Sequence, residues 1–164
     1  MADSANKGSS ADNPGTNLER VTLSESDLIT QILNSSKTIA VVGLSGNRMR
    51  ASHHVAEYLK SVGYRIVPVN PNVTEVLGEK SYQRLQDVPV PVDIVDIFRR
   101  PEFVPGIVDA AVRIGARCVW MQEGVIHGEA AERARAAGLL VIMNLCIFKE
   151  HSRRARDLPR TKPL

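Results

Sequence analysis

Five runs of mostly apolar or β-branched residues recur along the chain, and each is followed by glycine or by a polar residue. Such runs are typical of strands that are buried on both faces of a parallel sheet. Between them, apolar residues return at the three- and four-residue spacing of an amphipathic helix. The pattern predicts strands over 38–42, 64–69, 92–98, 117–121 and 139–143 and helices over 24–34, 53–61, 103–114 and 129–137.

Capping residues support these helices. Ser24 has the position of an N-cap, with Asp27 three residues further on, and Pro101 lies near the first turn of the helix over 103–114. Pro68 is awkward in its strand because it removes a hydrogen-bond donor from the ladder. Strands that alternate with helices predict an α/β fold, with a doubly wound parallel sheet of five strands in a single domain.

The connection after the first strand carries the strongest functional signal. Gly43 directly follows the buried run, and a short polar segment leads to the helix that resumes at His53. This arrangement gathers backbone N–H groups at the positive end of a helix, where a phosphate can bind. The alternative is an ordinary turn that needs glycine only for its backbone angles.

Ligands of open parallel sheets bind beyond the carboxyl ends of the strands. The residues expected there are Gly43–Ser45, Asn70-Pro71, Phe98-Arg99-Arg100, Gln122-Glu123-Gly124 and Asn144. This set is polar, cationic and glycine-bearing, which suits a phosphorylated nucleotide. The three glycine positions of a dinucleotide fingerprint hold Gly43, Ser45 and Arg48, so only the first is met, which argues against an NAD(P)-dependent dehydrogenase.

Composition narrows the classes of partner. The chain has 164 residues, 43% of them hydrophobic and 24% charged, with a net charge of +3 and only 4% aromatic residues. Neither a basic surface nor stacking rings therefore indicates nucleic-acid binding. No apolar run approaches the roughly 20 residues of a membrane helix, and residues 1–17 lack the apolar core of a signal peptide. We expect a cytoplasmic protein that binds neither membranes nor nucleic acids.

The two ends of the chain differ in composition from the part between them. Residues 1–20 are rich in Ser, Asn, Gly, Ala and Asp, which predicts a disordered tail. Residues 152–164 hold five basic residues against one acid, which predicts a flexible basic tail. The folded domain is expected over 21–151.

Few side chains have the pattern of a catalytic or metal site. Asp93 and Asp96 lie three apart on a strand and point to opposite faces, so we expect one to cap or pair and the other to face the sheet edge. His53 and His54 are expected to be exposed. The remaining histidines and the two cysteines have no partners at metal-ligand spacing. The sequence predicts no catalytic residue and no metal site.

Several motifs carry a resemblance to a known family. They are Val41–Ser45, Arg50-Ala51-Ser52, Val69-Asn70-Pro71, Leu77–Lys80, Asp93–Glu102, Trp120-Met121-Gln122 and Cys146–His151. In order and spacing they resemble the small stand-alone CoA-binding domain proteins, which are similar to the nucleotide-binding domain of the succinyl-CoA synthetase α subunit. The likeness covers roughly residues 24–154. It implies a Rossmann-like fold with CoA or an acyl-CoA as its ligand.

The resemblance also implies roles for individual residues. The first turn, Gly43–Ser52, would hold the CoA diphosphate with help from Arg48 or Arg50, while Asn70-Pro71 and Phe98-Arg99-Arg100 would flank the adenosine. A guanidinium can bind a phosphate by two parallel hydrogen bonds, and a neighbouring ring can stack on adenine. The expected site residues are Gly43, Leu44, Ser45, Arg48, Arg50, Ser52, Asn70, Pro71, Phe98, Arg99, Arg100 and Gln122.

The resulting prediction is a non-catalytic protein that senses, carries or presents CoA, with a protein partner or a homodimer left open. Two alternatives are enzymes: a subunit of an acyl-CoA ligase that acts with a separate catalytic chain, and an NAD(P)-binding oxidoreductase. A third alternative is an interaction module that has lost its ligand. It stays open because Ala51 stands where this family often has proline, and Asn144-Leu145 where it often has Asp-Arg.

Overall fold

Strands and helices alternate along residues 22–158, the part of the chain that this computed structural model describes. The strands are β1 Thr38–Val42, β2 Arg65–Val69, β3 Glu75–Val76, β4 Glu79–Lys80, β5 Ile94–Ile97, β6 Cys118–Met121 and β7 Leu140–Met143. The helices are α1 Glu25–Ser35, α2 Ala51–Ser61, α3 Val104–Arg113, α4 Gly128–Ala136 and α5 Ile147–Arg154. Short 3₁₀ turns occupy Leu85–Asp87 and Pro101–Phe103.

Five of these strands form one parallel sheet in the order β2-β1-β5-β6-β7, and β3 pairs with β4 as a separate antiparallel ribbon. The chain moves outward from β1 to β2 and then returns to β5 on the other side of β1. The carboxyl ends of β1 and β5 therefore frame the point at which the strand order reverses, where ligands of such sheets bind.

Side chains alternate between the two faces of the sheet, and each face has its own core. On β5, Val95 and Ile97 pack with residues of α3 and α4, while Ile94 packs with residues of α1, α2 and α5. Trp120 on β6 is the largest of the fully buried residues. Helices thus cover both faces and remove apolar surface from water. The predicted Rossmann-like, doubly wound, five-stranded sheet is confirmed.

Pro68 is accommodated because β2 is an edge strand of this sheet. Arg65 donates its N–H to Lys37 and the carbonyl of Val69 accepts from Gly43, so these residues face β1. Pro68 faces outward instead, and its carbonyl accepts from the N–H of Tyr82 at 3.0 Å. The missing donor is therefore on the side of β2 that needs no ladder bond to β1.

Some elements differ from the prediction. Helix α2 begins two residues earlier than predicted, and the β3–β4 ribbon and α5 were not predicted. Helix α5 crosses the boundary expected between 151 and 152, and Leu158 beyond it is buried. The predicted tail over 1–20 and residues 159–164 lie outside the described residues. Within 22–158, no helix combines the length and apolarity needed to cross a lipid bilayer.

Candidate functional site

The carboxyl ends of β1 and β5 approach each other closely at Gly43. Its φ is +89°, and a Cβ built there would lie 2.5 Å from the carbonyl oxygen of Phe98 and 2.9 Å from Cδ of Arg99. Its N–H donates to the carbonyl of Val69 at 2.9 Å, which also ties the turn to β2. Glycine therefore meets a conformational and a steric requirement at the same position.

Two side chains brace the turn that follows Gly43. The N–H of Ser45 donates to Oγ of Ser52 at 3.0 Å, and Ser52 is buried at the start of α2. Nδ2 of Asn70 donates to the carbonyl of Leu44 at 2.9 Å, and Leu44 is fully buried. The turn is thus held from α2 on one side and from the end of β2 on the other.

A cavity of about 350 Å³, here called the turn cavity, lies against this connection. It is lined by Gly43, Ser45, Arg50, Ala51, Ser52 and Phe98. Arg50 is the N-cap of α2 and Ala51 its first residue, and the first N–H groups of a helix have no acceptor within the helix. Together with the positive end of the helix dipole and the guanidinium of Arg50, they make the turn cavity suitable for an anion.

A second cavity of about 220 Å³, here called the α3 cavity, lies on the α3 face of the sheet. Its lining is Val42, Val69, Pro71, Gln83, Arg84, Leu85, Gln86, Arg99, Phe103, Gly106, Ile107 and Ala110. Aliphatic side chains and Pro71 form much of the wall, and amides and guanidiniums contribute the polar groups. Such a mixture fits the flat, largely apolar body of a base with polar groups at its edge.

Phe98 lines the turn cavity and Arg99 lines the α3 cavity. Successive residues at the end of a strand point to opposite faces of the sheet, which separates the two neighbours. The guanidinium carbon of Arg99 lies 4.3 Å from the centre of the Phe103 ring, within cation–π range. Arg100 is 77% exposed and pairs with Glu102 at 3.4 Å. The predicted group Phe98-Arg99-Arg100 is therefore divided between the two cavities and solvent.

The other predicted site residues also lie at different depths. Pro71 lines the α3 cavity. The side chain of Arg48 is 82% exposed and lies 3.9 Å from the carboxylate of Glu57, whereas Gln122 is buried. Phe103, whose ring contacts Arg99, was not among the predicted site residues. Its signal was available, because an aromatic residue four positions after Arg99 at the start of a helix can reach back to it.

Asp96 lies at the centre of the sheet and is fully buried. Its Oδ1 accepts from Nε2 of Gln122 at 2.6 Å, and its Oδ2 has no hydrogen-bond partner among residues 22–158. Burial raises the pKa of Asp96 to about 7, against the lowering effect of the Gln122 hydrogen bond. The expectation that one of the two acids faces the sheet edge was wrong for Asp96, because β5 is the middle strand.

Asp93 has the capping and pairing role expected of the other acid. Its Oδ2 accepts from the N–H groups of Lys37 at 2.8 Å and Thr38 at 2.9 Å, and its Oδ1 lies 3.7 Å from Arg117. These contacts are at the amino end of β5, opposite the edge that carries both cavities. Neither acid lines the turn cavity or the α3 cavity.

The histidines depart from expectation at one position. His54 is exposed as expected, but His53 is only 5% exposed, and its Nδ1 has no hydrogen-bond partner among the described residues. The prediction for His53 was wrong, because His53 lies within the first turn of α2 and is one of the buried residues of that helix. His127 caps α4 by accepting from the N–H of Ala130 at 3.1 Å. Residues 22–158 contain no group of three or more side chains that could hold a metal ion.

Comparison with known proteins identifies a matching family and similar structures. Residues 37–152 match the family model described as CoA binding domain. An uncharacterized protein of Bacillus subtilis is 42% identical over 124 residues, which cover 76% of this chain and 92% of that protein. A hypothetical protein from Pyrococcus horikoshii OT3 has a solved structure with a TM-score of 0.77 and 38% identity, covering 80% of this chain and 92% of that one.

A longer protein shares the same fold over part of its length. The dinucleotide-forming acetyl-coenzyme A synthetase 1 of Candidatus Korarchaeum cryptofilum, in its apo form, gives a TM-score of 0.61 and 27% identity. The match covers 71% of this chain and 28% of the synthetase chain. The fold seen here therefore also occurs as one part of a larger acetyl-CoA synthetase.

Proposed function

The chain belongs to the CoA-binding domain family, and from that premise we propose that it binds CoA or an acyl-CoA non-catalytically at the carboxyl edge of its sheet. The observation that carries the proposal is the close approach of β1 to β5 at Gly43, with a cavity on either side of it. A ligand that crosses this point can put one part into each cavity, and CoA has a diphosphate and an adenosine to put there.

The diphosphate belongs in the turn cavity. Ala51 and Ser52, the first two residues of α2, line this cavity together with Arg50. Hydrogen bonds from charged donors to a phosphate contribute roughly twice as much as neutral ones. Ser52 and Asn70 hold the turn in shape and act on the ligand through the backbone that they brace.

The adenosine belongs at the α3 cavity, between Pro71 and the Arg99–Phe103 pair. The aliphatic wall suits the faces of a base, and the amides of Gln83 and Gln86 in the same lining can exchange hydrogen bonds with its edge. We expect a smaller contribution to ligand binding from Arg48 and Arg100, which are highly exposed, and from Gln122, whose amide is bound to Asp96.

We assign no catalytic group to this site. Asp93 is engaged in capping at the opposite edge, and Asp96 is sealed inside the sheet. A second candidate function is that of the CoA-binding part of an acyl-CoA ligase, which the likeness to the Korarchaeum synthetase favours. Co-purification of a separate catalytic chain that forms acyl-CoA would favour the ligase function over non-catalytic CoA binding.

A thermal-shift titration with CoA, acetyl-CoA, NAD and NADP tests the proposal, because a ligand that binds only the folded state raises its melting temperature. We expect a rise with CoA and acetyl-CoA that is reduced in Arg50→Ala. Arg113→Ala is the matched control, since Arg113 is exposed in the last turn of α3 and lines neither of these cavities. A rise with NAD or NADP alone would favour an oxidoreductase, and no rise with any of the four would favour an interaction module.

A further inference from the structure

Arg99 lies at the junction between the two cavities. Its Cδ is the atom that a Cβ on Gly43 would meet at 2.9 Å, and Gly43 borders the turn cavity. Its side chain then continues into the lining of the α3 cavity. A ligand with its diphosphate in the turn cavity and its base in the α3 cavity would therefore pass the side chain of Arg99.

The guanidinium of Arg99 is available to bind an anionic group of such a ligand. Arg99 makes no ion pair with any residue between 22 and 158, and its guanidinium rests on the ring of Phe103. The other guanidinium of the α3 cavity, that of Arg84, is already bound to both carboxylate oxygens of Asp87, at 2.9 and 3.2 Å. Arg100 is paired with Glu102 and points to solvent.

We propose that Arg99, held by Phe103, is a specificity-determining residue that binds the phosphate on the ribose of CoA and so selects CoA over nucleotides that lack this group. The inference rests on the proposed function. In CoA the ribose joins the diphosphate to the base, and its 3′-phosphate projects from that middle position. The side chain of Arg99 runs from Gly43, at the turn cavity, to Phe103, at the α3 cavity, so its guanidinium can bind a phosphate on the ribose between the two.

Phe103 is a positioning residue in this scheme. A flexible arginine loses side-chain freedom when it binds, and a ring that already holds the guanidinium reduces that loss. Phe103 is 40% exposed, so the ring contributes little to the core and can be replaced without a large cavity. Its effect on ligand affinity can therefore be separated from an effect on folding.

The experiment is a calorimetric titration of CoA and of 3′-dephospho-CoA into the same variants. We expect the wild-type protein to bind CoA roughly 10- to 100-fold more tightly, the range of a hydrogen-bonded charge pair. Arg99→Ala should weaken CoA by clearly more than 3′-dephospho-CoA, which loses only the contact of Arg99 with the adenosine, and should so remove most of this preference. Phe103→Leu should reduce the preference by a few fold, and Phe103→Tyr, which keeps a ring, should restore it.

Arg113→Ala serves as the control that should keep the full preference, and the melting temperature of each free variant checks its folding. Binding of neither ligand by the wild-type protein would overturn the proposed function itself. Equal binding of both would leave CoA binding intact and overturn the role of Arg99. The same conclusion would follow if Arg99→Ala weakened both ligands equally, or if Arg100→Ala lost more of the preference than Arg99→Ala.

Discussion

The sequence predicts a turn at Gly43, but the reason why the residue must be glycine is visible only in the structure. The sequence marks it as the end of a buried strand, and both an anion-binding turn and an ordinary turn fit that pattern. The structure adds a reason that no local pattern contains, because Phe98 and Arg99 come within 3 Å of the place where a Cβ would be. These residues are more than fifty positions away in the chain, so only the fold brings them together.

Gly43→Ala is expected to destabilise the protein more than an alanine at another glycine of the same conformation. Gly138 also has φ +89° but has nothing within 4 Å of its would-be Cβ, so Gly138→Ala measures the conformational cost alone, about 1 kcal/mol. The steric conflict at Gly43 should add roughly 1–3 kcal/mol. Urea unfolding of both variants checks this, and equal losses would contradict the steric argument.

Asp96 predicts a pH dependence of stability. Its carboxyl has a pKa of about 7 in the folded protein, well above the ordinary value, because of burial. The folded state therefore holds this proton to higher pH than the unfolded state does. Between about pH 4 and 7 the contribution of Asp96 to the free energy of unfolding should fall with rising pH, by up to ~1.4 kcal/mol per unit.

The measurement compares Asp96→Asn with the wild-type protein by chemical unfolding at pH 5 and pH 8. As the pH rises from 5 to 8, the unfolding free energy of Asp96→Asn should increase relative to that of the wild-type protein, whatever the difference between them at pH 5. Asp87→Asn is the control, because Arg84 lowers the pKa of this exposed carboxyl and puts its titration below the tested range. Parallel behaviour of the Asp96 variant and the wild-type protein would mean that Asp96 stays ionised when buried.

Helix α5 was not predicted because its inward face is mostly polar. Its inward positions include Ile147, Glu150, His151 and Arg154, which have the spacing of a helix face but are mostly polar. A search for apolar periodicity passes over such a face. Two of the polar groups make contacts distant in sequence: Nδ1 of His151 lies 2.9 Å from the hydroxyl of Tyr58, and Arg154 donates to hydroxyls on α1. The sequence alone does not contain those partners.

Arg154 should matter far more to stability than its neighbour. Its guanidinium donates to buried Glu150 at 2.6 Å and to hydroxyls on α1, at Thr30 and Ser26, both at 3.1 Å. Arg153 pairs with the same carboxylate, but its side chain is 67% exposed. We expect Arg154→Ala to cost roughly 2–4 kcal/mol and Arg153→Ala less than about 1 kcal/mol, measured by thermal or urea unfolding. Similar losses would mean that α5 is not held to α1 through Arg154.

For the molecule as a whole, the alternation of strands and helices predicted the class of fold, and the motifs that resemble a known family predicted the family. Both predictions are confirmed. The order of the strands was not predicted, because a count of strands is compatible with more than one doubly wound order. That order decides which strand ends meet. The order puts β5 beside β1, so that Phe98 and Arg99, which follow β5, border the cavities. Gln122, which follows the next strand β6, is buried.

The same topology predicts where CoA should change the dynamics of the chain. Both cavities lie at the carboxyl edge of the sheet, whereas the loops around Gly115 and Gly138 lead into β6 and β7 at the amino edge. Loop amides exchange with solvent through local openings that a ligand suppresses only nearby. Hydrogen exchange followed by mass spectrometry should therefore slow on CoA addition over 43–53 and 98–107 and stay unchanged over 114–117 and 137–139. Slowing at the amino edge instead would put the ligand at the wrong end of the strands and contradict the site.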